Sequence, residues 1–112
     1  MSTTQLRSEF TTFKPEGYLS AANSSELLDS LLTKVKSSPA PALVVDMEAV
    51  EFMDSAGLTV LIEGSRLAES LGRRFAICSL APSVRIMFEL TQLDKAFEIF
   101  EDPDAFRATV QQ

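Results

Sequence analysis

A short polar stretch, Asp54-Ser55-Ala56-Gly57, holds the residue types best suited to chemistry in this sequence. It lies between an apolar segment and an amphipathic segment that begins at Leu58 and has helical spacing. A serine hydroxyl at the start of a helix can cap the helix, act as a nucleophile or accept a phosphate. Each of these roles requires different neighbours, so the rest of the sequence decides between them.

The nucleophile role is the least favoured, because a catalytic serine needs a general base and the chain contains no histidine. A lysine could serve as the base. However, Lys14, Lys34 and Lys36 lie in segments with no evident path to Ser55. The lack of histidine also removes the commonest metal ligand. We therefore predict that the protein is not an enzyme and that it uses no cofactor or metal.

Two interpretations of the stretch remain. In the first, Asp54 or Ser55 is simply a helix N-cap, whose side-chain oxygen accepts a hydrogen bond from an unpaired backbone N–H. In the second, Ser55 carries a phosphate, which the partial positive charge at a helix start would tolerate. Phosphorylation adds about two negative charges, which beside Asp54 would repel an acidic or apolar partner. Gly57 would let a partner or a neighbouring backbone approach closely.

Composition restricts the class of protein. The 112 residues, 46% of them hydrophobic, suffice for one compact domain, which we assign to residues 1–112. No apolar run is long enough to cross a membrane, and the amino terminus lacks the pattern of a secretory signal, so we expect a cytoplasmic protein. The net charge of −6 opposes binding to nucleic acid or to anionic lipid. The single cysteine, Cys78, has apolar neighbours and is predicted to be buried.

Strands and helices alternate along most of the chain. Apolar runs predict strands at 6–13, 18–19, 42–45, 75–80 and 97–100, and helical spacing predicts helices that follow Asn23, Asp54, Ala81 and Asp102. The turn residues Pro15, Glu16 and Gly17 suggest that the first two strands form a hairpin. The order predicts an α/β domain with a mixed, mostly parallel sheet of four to five strands and about four helices.

Three segments in this order resemble the STAS domains of bacterial anti-sigma factor antagonists. The segment from Val44 to Leu58 is similar to the family's pattern of an apolar strand, Asp, a short loop and Phe-Met-Asp-Ser-small-Gly-Leu. Upstream, Glu16-Gly17-Tyr18-Leu19 followed by Ala22-Asn23 resembles the family's turn into its first helix. Downstream, Ser79-Leu80-Ala81-Pro82-Ser83-Val84 and the helix through Phe88 and Leu93 resemble the segment after its fourth strand.

The resemblance implies a specific role for the stretch. In the family, the serine directly after the motif aspartate is phosphorylated, and that serine corresponds to Ser55. An anti-sigma factor that is also a serine kinase phosphorylates the antagonist, and a PP2C-like phosphatase reverses the reaction. The unphosphorylated antagonist binds the anti-sigma factor and frees the sigma factor. The partner-binding residues implied here are Asp54, Ser55, Ala56, Gly57 and Leu58.

This chain departs from the family pattern at two positions. Ser20 stands where many relatives have aspartate, so a partner or nucleotide contact through a carboxylate is in doubt there. Ala56 replaces a second hydroxyl that some relatives carry, which leaves Ser55 as one unambiguous acceptor at the helix start.

A second function stays open, because STAS-like domains also serve as scaffolds or accessory subunits in larger signalling or transport assemblies. Either function needs apolar anchors on the surface. The candidates near the motif or on the third helix are Leu58, Met87, Phe88 and Leu90, each weighed against a place in the core.

Overall fold

The computed structural model describes residues 10–110. Its strands are β1 (Thr11–Phe13), β2 (Gly17–Leu19), β3 (Ala42–Asp46), β4 (Val50–Met53), β5 (Arg74–Cys78) and β6 (Glu98–Phe100). Its helices are α1 (Ser24–Ser37), α2 (Ser55–Ser70), α3 (Pro82–Leu90) and α4 (Pro103–Val110), with a 3₁₀ turn at Leu93–Lys95. The alternation of strands and helices predicted from the sequence is confirmed.

The strands form two separate parallel arrays. The larger sheet has the order β1-β3-β5-β6, and β2 pairs with β4 as a two-stranded ribbon. Every residue of β3 is buried, because β3 lies inside the larger sheet and is covered on both faces. The prediction of a mostly parallel sheet with about four helices is therefore confirmed.

The predicted opening hairpin is wrong. β1 pairs in parallel with β3, and β2 pairs in parallel with β4, so the first two strands belong to different arrays. Gly17 has a φ of 76°, and its N–H donates to the carbonyl of Ala49 at 2.8 Å, which turns the chain away from β1. Gly17 does redirect the chain, but turn residues do not reveal which strands pair. Residues 6–9 of the predicted first strand lie outside the described residues.

Apolar side chains on the two faces of the larger sheet build two clusters. Leu43, Val45, Phe75 and Ile77 point toward α1, α2 and α3, where the main core lies. The alternate residues of β3 and β5, which are Ala42, Val44, Ala76 and Cys78, pack against Phe106 of α4. This alternation is the period of two expected for strands.

Cys78 is buried as the sequence predicts. Burial raises the pKa of its thiol to about 11, and the charges of Asp46 and Asp102 act in the same direction. The thiol is therefore protonated at neutral pH and is a core hydrophobe. Over residues 10–110, no helix combines the length and the apolar character that a membrane crossing requires.

Candidate functional site

The carboxylate of Asp54 caps helix α2. Asp54 has extended backbone angles, and its Oδ1 accepts hydrogen bonds from the N–H groups of Ala56 at 2.8 Å and Gly57 at 3.1 Å. These two donors belong to the first helical turn, where no carbonyl is available to pair with them. Of the two residues that the sequence offered as the cap, Asp54 fills that position.

Asp54 also ties the start of α2 to strand β2 and to the turn that follows it. Its N–H donates to the carbonyl of Leu19 at 3.0 Å, and its Oδ2 accepts from the N–H of Ala21 at 3.2 Å. The pKa of this carboxyl is lowered from its ordinary value of 3.8, chiefly by the hydrogen bond from Gly57 and further by those from Ala21 and Ala56. Asp54 is therefore a fixed anion at neutral pH.

Ser55 is the first residue of α2, and its side chain is exposed. Because the carboxylate of Asp54 caps the helix, the Ser55 hydroxyl is left exposed to solvent at the positive end of the helix dipole. One turn further along, the hydroxyl of Thr59 donates to the Ser55 carbonyl at 3.0 Å. The backbone that carries Ser55 is thus held by the helix while the side chain remains accessible.

The remaining residues of the predicted binding stretch are less accessible. Gly57 and Leu58 are buried, and Ala56 is half-buried. A Cβ at Gly57 would lie 2.5 Å from the carbonyl oxygen of Leu19, so the helix start packs directly on the β2 backbone. The sequence predicted that Gly57 would let a partner or a neighbouring backbone approach closely. In this structure the β2 backbone at Leu19 does so.

An open groove of about 300 Å³ lies between α1 and α2 beside Ala56. Its walls include Ser24 and Leu28 of α1 together with Thr59 and Glu63 of α2. Both helix starts therefore border the same surface depression next to Ser55.

The turn between β2 and α1 is ordered by Asn23. Its side chain accepts from the Ser20 N–H at 3.0 Å and donates to the Tyr18 carbonyl at 2.8 Å. Ser20, one of the two positions at which the sequence departs from the pattern it resembles, accepts a hydrogen bond from the Ala22 N–H through its hydroxyl at 3.3 Å. Ser20 thus serves the turn itself, and the turn holds Ala21 in place for Asp54.

The candidate anchors divide into core and surface. Leu58 and Phe88 are buried, Met87 is half-buried, and Leu90 is exposed. Four other large apolar side chains within residues 10–110 are exposed and were not among the predicted anchors, and these are Tyr18, Phe52, Leu71 and Ile86. No local sequence signal distinguishes these side chains from core residues, because their exposure depends on which faces of the elements are covered in the fold.

Within residues 10–110, no group of three or more His, Cys, Asp or Glu side chains is placed to hold a metal ion.

Comparisons with known proteins identify the family of this chain. An anti-sigma F factor antagonist of Paenibacillus polymyxa is 28% identical over 60 residues, which cover 54% of this chain and 51% of that protein. The match thus spans about half the length of that curated relative. The crystal structure of an anti-sigma factor antagonist from Mycobacterium paratuberculosis is 27% identical, covers 95% of this chain and 89% of its own, and has a TM-score of 0.83.

The same fold occurs in the Bacillus cell fate determinant SpoIIAA, whose structure was solved in the phosphorylated form. It is 17% identical, covers 95% of each chain and has a TM-score of 0.69. The family model of the STAS domain matches residues 2–106, which is nearly the whole chain. The chain therefore belongs to the STAS domain family.

Proposed function

We propose that this protein is an anti-sigma factor antagonist, a non-enzymatic binding switch formed by one STAS domain over residues 1–112. In its unphosphorylated form it binds an anti-sigma factor and so releases a sigma factor to act in transcription. The observation that carries the proposal is the exposed Ser55 at the first position of α2, beside an aspartate that already caps the helix.

The geometry favours a switch based on charge. A phosphate on Ser55 would meet a helix start whose Ala56 and Gly57 N–H groups are already bonded to Asp54. The new charge would therefore remain largely uncompensated by these donors, and it would lie next to a carboxylate that is ionised at neutral pH. Two adjacent anions on an exposed surface would disfavour an acidic or apolar partner face without unfolding the domain.

The relatives support this proposal in two respects. The curated relative and the Mycobacterium structure are both named anti-sigma factor antagonists. The Bacillus protein of the same fold is known in a phosphorylated form. Within the proposal, the partner acts as both anti-sigma factor and serine kinase, a PP2C-like phosphatase removes the phosphate, and all three proteins meet in the cytoplasm.

The test compares the binding of Ser55→Ala and Ser55→Asp to the anti-sigma factors encoded in the same genome. Ser55→Ala should bind as tightly as the unmodified wild type, whereas Ser55→Asp should bind at least about tenfold more weakly. A matched control is Ser70→Asp, which adds the same charge at the far end of α2, about 22 Å away along the helix axis. The control should bind like the wild type.

Equal binding by the two Ser55 variants would contradict the charge mechanism. Binding to no anti-sigma factor, together with assembly into a complex of other STAS subunits, would favour the alternative role as a scaffold or accessory subunit of a signalling or transport assembly.

A further inference from the structure

Most of the large apolar side chains that are exposed within residues 10–110 lie in one region. Tyr18 is 61% exposed, Phe52 47%, Ile86 52% and Leu90 80%. The first two lie on the β2–β4 ribbon, and the other two lie on α3, which packs against β4. The fifth, Leu71, lies at the far end of α2. Single exposed apolar residues are ordinary, but four on two adjoining elements indicate a contact surface.

The ribbon and the helix are joined by direct contacts. Tyr18 and Phe52 are register partners on β2 and β4, and their ring centroids are 5.7 Å apart at an angle of 45°. On α3, the hydroxyl of Ser83 donates to the carbonyl of Glu51, the residue before Phe52, at 3.4 Å. Ile86 follows Ser83 by three residues and Leu90 follows Ile86 by four, so all three share one side of α3.

This surface is continuous with the switch serine. Phe52 precedes Ser55 by three residues, a span of at most about 10 Å along the backbone. The hydrogen bond from the Asp54 N–H to the Leu19 carbonyl fixes the end of the ribbon against the start of α2. A partner seated on the two aromatic rings would therefore reach the Ser55 hydroxyl.

The charges around this surface indicate which kind of protein could bind there. Glu51 lies in β4 next to Phe52, Glu16 directly precedes β2, and Glu89 is next to Leu90. All three are exposed, whereas Arg85 beside Ile86 is half-buried. Two copies of this chain would bring these acidic residues together in a chain whose net charge is −6. A face with apolar pockets and a basic rim would instead be complementary to this surface.

We infer that the surface formed by Tyr18, Phe52, Ile86 and Leu90 anchors the anti-sigma factor through a basic-rimmed apolar face, with the aromatic pair at its centre. This inference rests on the proposed function, since it assigns the partner of that function to a defined surface. Aromatic side chains commonly dominate binding energies in protein interfaces. The anchor and the switch are then separate parts of one interface.

The test uses the anti-sigma factor that binds the unmodified wild-type protein. Tyr18→Ala and Phe52→Ala should each weaken that complex by about tenfold or more, and Ile86→Ala with Leu90→Ala should weaken it by a smaller factor. Leu71→Ala is the matched control, because Leu71 is 46% exposed, close to the value for Phe52, but lies at the opposite end of α2. Circular dichroism should show that all variants fold.

The outcomes separate the two proposals. If Ser55→Asp weakens the complex but folded Tyr18→Ala and Phe52→Ala bind like Leu71→Ala, the anchor is refuted and the switch stands. If the aromatic variants alter self-association in sedimentation experiments and leave the complex intact, the surface serves a second copy and the inference is wrong. If the wild type binds no anti-sigma factor, the proposed function and the anchor fail together.

Discussion

At the scale of single residues, the structure assigns the helix cap to Asp54, whereas the sequence alone allowed either Asp54 or Ser55 to be the cap. The carboxylate of Asp54 accepts three backbone N–H groups, from Ala21, Ala56 and Gly57. These hydrogen bonds pair the free N–H groups at the start of α2 and hold the turn between β2 and α1 in place. Ser55 is left exposed and is not required for capping. The phosphate proposed for Ser55 would therefore leave the cap of α2 intact.

Replacement of Asp54 by alanine should lower the thermal unfolding midpoint at pH 7 by about 5 °C, because the cap is lost. Asp54→Asn should retain part of the stability, since an asparagine oxygen can still accept hydrogen bonds from the N–H groups of Ala56 and Gly57, whereas its NH2 group cannot accept from Ala21. Thermal unfolding followed by circular dichroism measures both changes. A midpoint for Asp54→Asn as low as that for Asp54→Ala would contradict the capping role.

The stability that Asp54 provides should depend on pH. Its folded pKa is lowered, so its contribution is fully present above the ordinary value of 3.8 and is lost as the pH falls through the folded pKa. The difference in midpoint between the wild type and Asp54→Ala should therefore narrow from pH 7 to about pH 2.5. A difference that is unchanged over this range would show that the ionised carboxylate is not the stabilising form.

The sequence predicted the central residues of the site but not its surroundings. The order Asp-Ser-small-Gly before an amphipathic segment was enough to place Ser55 at a helix start. The bond from Ala21 to Asp54 could not be predicted, because it joins a backbone N–H to a side chain 33 residues away. The pairing of Tyr18 with Phe52 depends in the same way on a strand register that only the folded chain defines.

At the scale of elements, the start of α2 is positioned by its contact with the ribbon. Gly57 brings the helix so close to β2 that a Cβ would lie 2.5 Å from the Leu19 carbonyl oxygen and 2.8 Å from the Leu19 Cβ. A second glycine of the same helix, Gly64, faces the flexible end of the Leu31 side chain instead. A glycine-to-alanine change at each position therefore compares a contact with fixed backbone, at Gly57, with a contact with a movable side chain, at Gly64.

Gly57→Ala should destabilise the domain by about 2 kcal/mol or more, because the helix must move away from the β2 backbone. Gly64→Ala should cost less, since Leu31 can shift and alanine favours the helix by about 1 kcal/mol over glycine. Urea unfolding of the two variants gives both values. A smaller loss for Gly57→Ala than for Gly64→Ala would contradict the close approach of α2 to β2.

The elements were largely predictable because their local signals agree with the fold. Pro82 at the first position of α3 and Gly72 just after α2 mark helix boundaries that the structure confirms. At the end of α2, the N–H of Gly72 bonds to the Glu69 carbonyl and that of Arg73 bonds to the Ala68 carbonyl, which is a Schellman motif. The hairpin prediction failed because strand pairing here is decided by distant residues.

At the scale of the whole molecule, helix α4 covers the face of the sheet opposite α1, α2 and α3. The side chain of Phe106 is fully buried there and makes edge-on contacts with Phe10 and Phe100, with ring centroids 5.1 Å and 5.4 Å apart. Arg74 lies 4.5 Å above the Phe106 ring and bonds to both carboxylate oxygens of Glu98. One short helix can close this face because the sheet residues beneath it are small.

Phe106→Ala should reduce the free energy of unfolding by about 3–5 kcal/mol, a large part of the 5–15 kcal/mol typical of a domain. The matched control is Phe52→Ala, an identical change at an exposed ring, which should cost less than about 1.5 kcal/mol. Urea unfolding measures both.

For binding to the anti-sigma factor, the order is reversed, and Phe52→Ala should have the larger effect of the two variants. Under conditions in which Phe106→Ala is folded, it should bind the anti-sigma factor like the wild type, because α4 lies on the face away from Ser55. Weakened binding by the folded Phe106→Ala protein would show that the α4 face takes part in the interface.

The most direct test of the proposed switch is to incubate the purified protein with ATP and the anti-sigma factor that binds it, and to locate any phosphate by peptide mass spectrometry. The expected result is one phosphate, on Ser55, accompanied by loss of the complex, with Ser55→Ala remaining unmodified and bound. A phosphate on another residue, or a complex that persists after Ser55 is phosphorylated, would contradict the proposed switch.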